Sequence, residues 1–395
     1  MIYLLNESQK EIALHCMLNK SSKKYMLNGI VEIPDTTDLD KLQNSILDVL
    51  NYNPLLKAVF YIDKGKFFLK EREDYSEKDI KRMVKSNIDS IEHDPIFEKD
   101  FDILNEESLI RVCFAEVEKK KYILISVHHL IFDVFSSIVF FEEIFKLYND
   151  DITVNELDYR IKKNFPEKLD IDKSKLKSKK AYEYYANHAQ TLKNFHKESS
   201  SLVFTEEADS KKIQINDKTF LLKNTRKQSA IIILALAKTI RQQFNMNNVV
   251  VGVPVPNRNK ENRDLISCLV NVLPVFIRFN TEKTEQDLIQ DIEVQLFKNL
   301  RYQAFKFSTY FRKEMGQGEF PVIFTYYPTD FKFKSDKFYL NVKKLFFPES
   351  PAKVYVMAKE SGEIYIETKS NKKNIIMDIE ENINSLIERG FYNER

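Results

Sequence analysis

Val127-His128-His129-Leu130-Ile131-Phe132-Asp133-Val134-Phe135-Ser136 sets two adjacent histidines at the end of an apolar strand, with a carboxylate four residues after the second. A helical pattern follows, with Ile138, Val139, Phe141, Phe145 and Tyr148 on the face expected to be buried. This order of residue types suits a general base held by a fixed acidic partner. Strand alternation turns His128 and His129 to opposite faces, so at most one of them is expected to do chemistry.

Helix and strand patterns alternate on both sides of the stretch. Leu39, Leu42, Ile46, Val49 and Leu50 recur at helical spacing behind the cap candidates Thr36 and Thr37, and Asn53-Pro54 closes that helix. A hairpin is expected from Leu56–Phe60 and Lys66–Leu69 around Asp63-Lys64-Gly65. A second, Leu109–Val117 and Tyr122–Val127, delivers the histidines. Residues 158–180 are charged and lysine-heavy, which marks a connection between two lobes. Beyond it come a buried helix over Gln228–Phe244 and strands over Val249–Val255 and Val270–Ile277. A helix from Thr284 to Arg301, strands near Val322–Tyr326, Phe338–Val342 and Lys353–Ile366, and a closing helix from Ile375 to Arg389 complete the pattern.

The chain's 395 residues suffice for two domains, and 43% hydrophobic and 30% charged residues describe a globular protein. A net charge of +2 does not argue for nucleic acid. Cys16, Cys113 and Cys268 are widely spaced, so neither a metal site nor a disulfide framework is expected. No signal sequence follows Met1 and no apolar run is long enough to span a bilayer, so a cytoplasmic location with no membrane partner is expected.

On these residues the chain resembles the condensation domains of nonribosomal peptide synthetases, within the chloramphenicol-acetyltransferase-like acyltransferases. His128-His129-Leu130-Ile131-Phe132-Asp133 is similar to the family's HHxxxDG signature. Phe101-Asp102-Ile103 with Leu109-Ile110-Arg111 resembles its FD-L…LLR lead-in, and Leu5-Asn6-Glu7-Ser8-Gln9 its LSxAQ opening. Asn53–Phe60 is similar to HxxLRTxF, with Lys57 at the arginine. Leu157-Asp158-Tyr159, Val249–Arg258, Leu269–Pro274 and Tyr302-Gln303-Ala304-Phe305 match DYA, VVVGxPVxxR, FVNTLP and, faintly, HQDxPF in family order.

The resemblance implies an α/β (α+β) fold of two chloramphenicol-acetyltransferase-like lobes in a V with an interface tunnel. Residues 1–165 would carry the histidine motif and 166–395 would complete the tunnel. It implies His129 as the functional imidazole, His128 as a structural support and Asp133 as a loop-fixing carboxylate with Lys57, Arg111 or Arg258 as its partner. Val134, Ser136 and Asn271 would contact substrate, Ser136 alternatively serving as a helix-cap residue. Val134 stands where the family has glycine, and would narrow the tunnel, reshape the loop or mark reduced activity.

The implied activity is that of a free-standing, amide-forming condensation enzyme. It would join an acyl thioester, carried on the phosphopantetheine arm of an acyl or peptidyl carrier protein supplied in trans, to a small-molecule amine, with no permanently bound cofactor and no metal. Two alternatives are an acyl-coenzyme A-dependent N- or O-acyltransferase and a catalytically silent module that recruits carrier proteins. The lysine-rich stretch Asp172–Lys180 is either a steering surface for an acidic carrier or a solvated linker. Heterocyclisation is not expected, because His128 stands where such domains carry aspartate. Epimerisation is not expected either, because Ser136-Ser137 replaces SW.

Overall fold

The computed structural model describes the chain except residues 19–22, 88, 165–174, 200–203, 280–281, 316–319, 328–331, 337, 347–351, 371, 373 and 391–395. It is a mixed α/β fold with two six-stranded sheets, one in each of two compact units. The first unit is Met1–Ile171 together with Arg258–Val270 and Asp330–Glu349; the second is Asp172–Asn257, Asn271–Thr329 and Ser350–Arg395. The lobe boundary expected at residue 165 lies outside the described residues, as do residues 172–174 of the lysine-rich stretch.

Hydrophobic burial explains why distant segments join the first unit. Leu265, Ile266, Cys268 and Leu269 are at most 4% exposed, in one core cluster with Leu27, Val31, Val127, Leu130 and Phe132. That unit's sheet runs Lys332–Lys334, Tyr339–Phe346, Met26–Ile33, Lys120–His128, Ile110–Val117, Ile80–Lys85, with only the last pair parallel. The strand that ends in His128 therefore has neighbours on both sides, Met26 facing His128 and Ile110 facing Val127. A smaller antiparallel sheet holds Ile2–Leu4, Lys66–Glu71 and Ala58–Asp63.

The second unit's sheet runs Asn271–Arg278, Asn248–Val255, Val322–Tyr327, Val354–Lys359, Glu363–Ser370, Phe204–Gln214. Val249, Val250 and Val251 are wholly buried, as an interior strand covered on both faces requires. Gly252 is forced by close approach: a Cβ there would lie 2.8 Å from Phe320.

Several elements differ from the sequence pattern for local reasons. The helix Leu39–Tyr52 is capped by Asp38, whose side chain accepts from the Asp40 and Lys41 N–H groups, while Thr37 turns its hydroxyl to the Pro34 carbonyl. Lys353–Ile366 resolves into the strands Val354–Lys359 and Glu363–Ser370, with Gly362 between them at φ 85°. The helix Val134–Tyr148 buries Phe140, Phe141, Ile144 and Leu147 completely or nearly so, whereas Val139, Phe145 and Tyr148 only lean on that core. Among the described residues no helix is long and apolar enough to cross a membrane.

Candidate active site

The histidine strand stops because its backbone partners change. The His128 N–H donates to the Leu109 carbonyl at 2.8 Å and the His129 N–H to the Tyr25 carbonyl at 2.6 Å. The chain then turns, Ile131 N–H meeting the His128 carbonyl at 3.2 Å, and Leu130, Ile131 and Phe132 sink into the core at 1% exposure or less. Gln9, itself fully buried, donates to the Leu130 carbonyl at 2.8 Å. The LSxAQ-like segment thus braces the histidine loop, a contact that sequence spacing alone gives no means of seeing.

Asp133 caps the helix that follows, with Oδ1 accepting from the Ser136 N–H at 2.7 Å. The same oxygen takes the Ser136 hydroxyl at 2.8 Å and the Arg258 guanidinium at 2.7 Å, while Oδ2 takes the Leu269 N–H at 3.0 Å. Arg258 also donates to the Asn262, Arg263 and Leu265 carbonyls. Of the three candidate cations, Arg258 is the one that meets Asp133, in an ion pair whose side chains are 7% and 2% exposed. Lys57 instead pairs with Asp74 at 2.9 Å. Arg111 donates to the Lys99 and Asp100 carbonyls and lies 3.8 Å over the Phe101 ring.

Burying two charges is tolerated when hydrogen bonds replace the water they lose. Here Arg258 and Asp133 gather backbone and side-chain bonds from three chain segments, so the pair works as a clasp on the loop. Ser136 belongs to the clasp: it is completely buried, its hydroxyl has a single hydrogen to share between Asp133 Oδ1 and the Ser267 carbonyl, the latter at 2.9 Å, and its oxygen accepts from the Ser267 N–H at 3.1 Å. It lies at the third helical position and is not the cap.

The geometry assigns the histidine protons. His129 Nδ1 lies 2.6 Å from the Phe132 carbonyl, which only accepts, so Nδ1 carries the hydrogen and Nε2 is the basic nitrogen. Burial lowers the His129 pKa, against the opposing pull of Asp133 and the Phe132 carbonyl. The imidazole is therefore neutral near pH 7, in a residue that keeps some exposed surface. His128 has the opposite arrangement. Its Nδ1 accepts from the Leu130 N–H at 3.0 Å, which puts the hydrogen on Nε2. Burial, with His129 and Arg111 adding, brings its pKa down to about 3, and its ring stands edge-on to Phe101 at 5.9 Å.

Val134 is the first residue of the motif helix, half-buried against the first core and outside the positive-φ region. The backbone at the family's glycine position is therefore helical here and accepts valine without strain. Asn271, in the second unit, donates both amide hydrogens, to the Gln303 carbonyl at 2.9 Å and the Phe305 carbonyl at 2.8 Å. The FVNTLP-like strand thereby holds the HQDxPF-like turn. Cys16 and Cys268, set aside on spacing, lie at the two histidines: Cys268 Sγ is 3.5 Å from His129 Nδ1 and Cys16 Sγ 3.6 Å from His128 Nε2.

Comparison with known proteins agrees with this architecture. The chain matches the condensation domain over residues 1–388, and it belongs to that family of amide-forming acyltransferases. It is 21% identical over 169 residues to surfactin synthase subunit 2 of Bacillus subtilis (strain 168), a match covering 40% of this chain and 4% of that protein. Among solved structures it resembles an arginine-to-alanine mutant of the starter condensation domain of rhizomide synthetase RzmA in complex with C8-CoA, at 13% identity and TM-score 0.69 over 99% of this chain and 94% of the other. It also resembles the first condensation domain of the calcium-dependent antibiotic synthetase in complex with a substrate analogue, at 13% identity and TM-score 0.67 over 98% and 96%.

Proposed function

We propose that this protein forms an amide bond between an acyl or aminoacyl thioester and an amine acceptor in nonribosomal peptide or related biosynthesis, with His129 as the residue that handles the proton. The reading rests above all on one observation: His129 is fixed as the Nδ1–H tautomer by the Phe132 carbonyl, in a loop clasped by Asp133 and Arg258.

In the reaction, the amine nitrogen attacks the thioester carbonyl carbon. His129 Nε2 takes the proton that nitrogen loses as the C–N bond forms. The tetrahedral intermediate collapses, the C–S bond breaks, and the thiolate leaves and is protonated from the imidazolium. Positioning contributes heavily, because a bound amine beside the carbonyl already escapes most of the entropic cost of encounter. Asp133 and Arg258 act by holding the loop, and His128, neutral and internally bonded, supports it. The motif resembles HHxxxDG with valine for glycine, and the helical backbone at Val134 favours catalysis over a silent recruitment role.

The donor is proposed to arrive on the phosphopantetheine arm of a carrier protein. A coenzyme A thioester is the second reading, prompted by the C8-CoA complexes among the structural neighbours. Supplying the same acyl group on a carrier and on coenzyme A, with a panel of amines, and following release by intact-protein mass spectrometry tests both. Carrier-dependent amide formation supports the first reading; equal use of both donors supports the second; no amide from either donor refutes acyl transfer.

A further inference from the structure

We propose that Cys268 and Cys16 are positioning residues that orient the rings of the two motif histidines, which are opposite tautomers, Cys268 beside the protonated Nδ1 of His129 and Cys16 beside the protonated Nε2 of His128. The proposal deepens the reading of His129 as proton acceptor and rests on it only for its effect on turnover. Two of the chain's three cysteines meet these two rings, and each sulfur stands at the nitrogen that bears the hydrogen. A neutral thiol sulfur is a weak acceptor, so Cys268 can steer the His129 Nδ1–H without displacing its stronger partner, the Phe132 carbonyl, and Cys16 can steer the His128 Nε2–H.

Cys268 is held in place from both sides. Its carbonyl accepts from Asn6 Nδ2 at 2.9 Å, Ser267 before it is bonded through both backbone groups to Ser136, and the Leu269 N–H after it binds Asp133. The clasp that fixes the loop therefore also aims the thiol at His129. Cys268 is wholly buried, which keeps it a neutral thiol; a thiolate there would draw the imidazole into an ion pair and remove its basic role. A hydroxyl or a water in the same place would compete with the Phe132 carbonyl for the Nδ1 hydrogen. Burial likewise pushes the Cys16 thiol up to about 12. With Leu130 N–H on Nδ1, the Cys16 sulfur leaves His128 one arrangement, Nε2–H toward sulfur. Cys113 packs on Ile30 and Leu124, away from either ring nitrogen, and serves as the internal control.

The test is an imidazole nitrogen–proton correlation spectrum of the full chain labelled with nitrogen-15 histidine, the two rings assigned with His128→Asn and His129→Gln. The expected result is Nδ1–H for His129 and Nε2–H for His128. Cys268→Ala shifts the His129 ring nitrogen and Nδ1–H signals while leaving His128 unmoved; Cys16→Ala shifts the His128 signals alone; Cys113→Ala moves neither. Should Cys268→Ala fail to fold, Cys268→Ser tests the contact without a cavity, its oxygen competing with the Phe132 carbonyl and shifting the His129 Nδ1–H signal while the tautomer stays Nδ1–H. The proposal is overturned by His129 in the Nε2–H form, or by ring signals that ignore both substitutions. In turnover, Cys268→Ala is expected to lower kcat roughly tenfold with KM unchanged, as misorientation of a proton-transfer group does. Expected tautomers in a protein that transfers no acyl group would refute the catalytic reading alone.

Discussion

Lowering the pH should strip stability from this protein through His128, and the amount follows from its surroundings. Folded, the ring is 2% exposed, has its Nδ1 filled by the Leu130 N–H and titrates near 3. Unfolded, it titrates near the ordinary value of 6.5. Between those values the unfolded chain binds a proton that the folded chain refuses. The stability is thus fully present above pH 6.5 and is lost as pH falls towards 3. The slope approaches about 1.4 kcal/mol per pH unit, so roughly 2 kcal/mol is gone by pH 5. That is a large share of the 5–15 kcal/mol typical of a folded protein, on the order of what one buried core truncation costs. His128→Asn isolates the effect, because the asparagine oxygen can take the Leu130 N–H without titrating. Urea unfolding followed by circular dichroism at pH 7, 6 and 5 suits a chain without tryptophan. The wild type should lose about 2 kcal/mol more than His128→Asn over that range. Parallel losses in the two proteins would refute the buried neutral imidazole.

Other consequences of the site follow from the same bonds. Arg258→Met, which strands the buried Asp133 carboxylate, should cost about 3–5 kcal/mol by urea unfolding, whereas joint replacement of Arg258 and Asp133 by apolar residues should cost much less. Val134→Gly should lower stability by about 1 kcal/mol, since it adds backbone freedom at a helical position; a raised melting temperature would contradict the helical backbone there. Asn271→Ala removes both bonds to the Gln303–Phe305 turn, and hydrogen exchange at Ala304 and Phe305 should quicken with a loss of about 1–3 kcal/mol.

Much of this site was legible in the sequence because its parts have local signatures. An apolar strand, a His-His doublet and a carboxylate ahead of a helical pattern describe the strand end, the loop and the helix in order, although the sequence offers Ser136 as the cap and the structure gives that place to Asp133. The choice of Arg258 over Lys57 and Arg111 was not legible, because it depends on burial of Leu265, Ile266 and Leu269 in the first core. Composition there is apolar in either unit, and only tertiary packing distinguishes the two. The thiol contacts were hidden for a related reason: Cys16 and Cys268 are more than a hundred residues from the histidines they touch. Lys353–Ile366 read as continuous because its apolar residues alternate on both sides of Glu360-Ser361-Gly362, and the glycine's positive φ is what splits it. Strands such as Ile80–Lys85, bearing Lys81, Arg82 and Lys85, lack the apolar alternation that marks a strand, although parallel pairing with Ile110–Val117 holds this one in the sheet.

The central claim is that His129 Nε2 handles the proton of the attacking amine. Single-turnover amide formation from an acyl-loaded carrier, measured at saturating amine for wild type and His129→Ala with circular dichroism confirming that both are folded, tests it most directly. A fall of about 10²–10⁴-fold in His129→Ala is predicted from loss of general base catalysis. Release of amide at the wild-type rate by His129→Ala would contradict it.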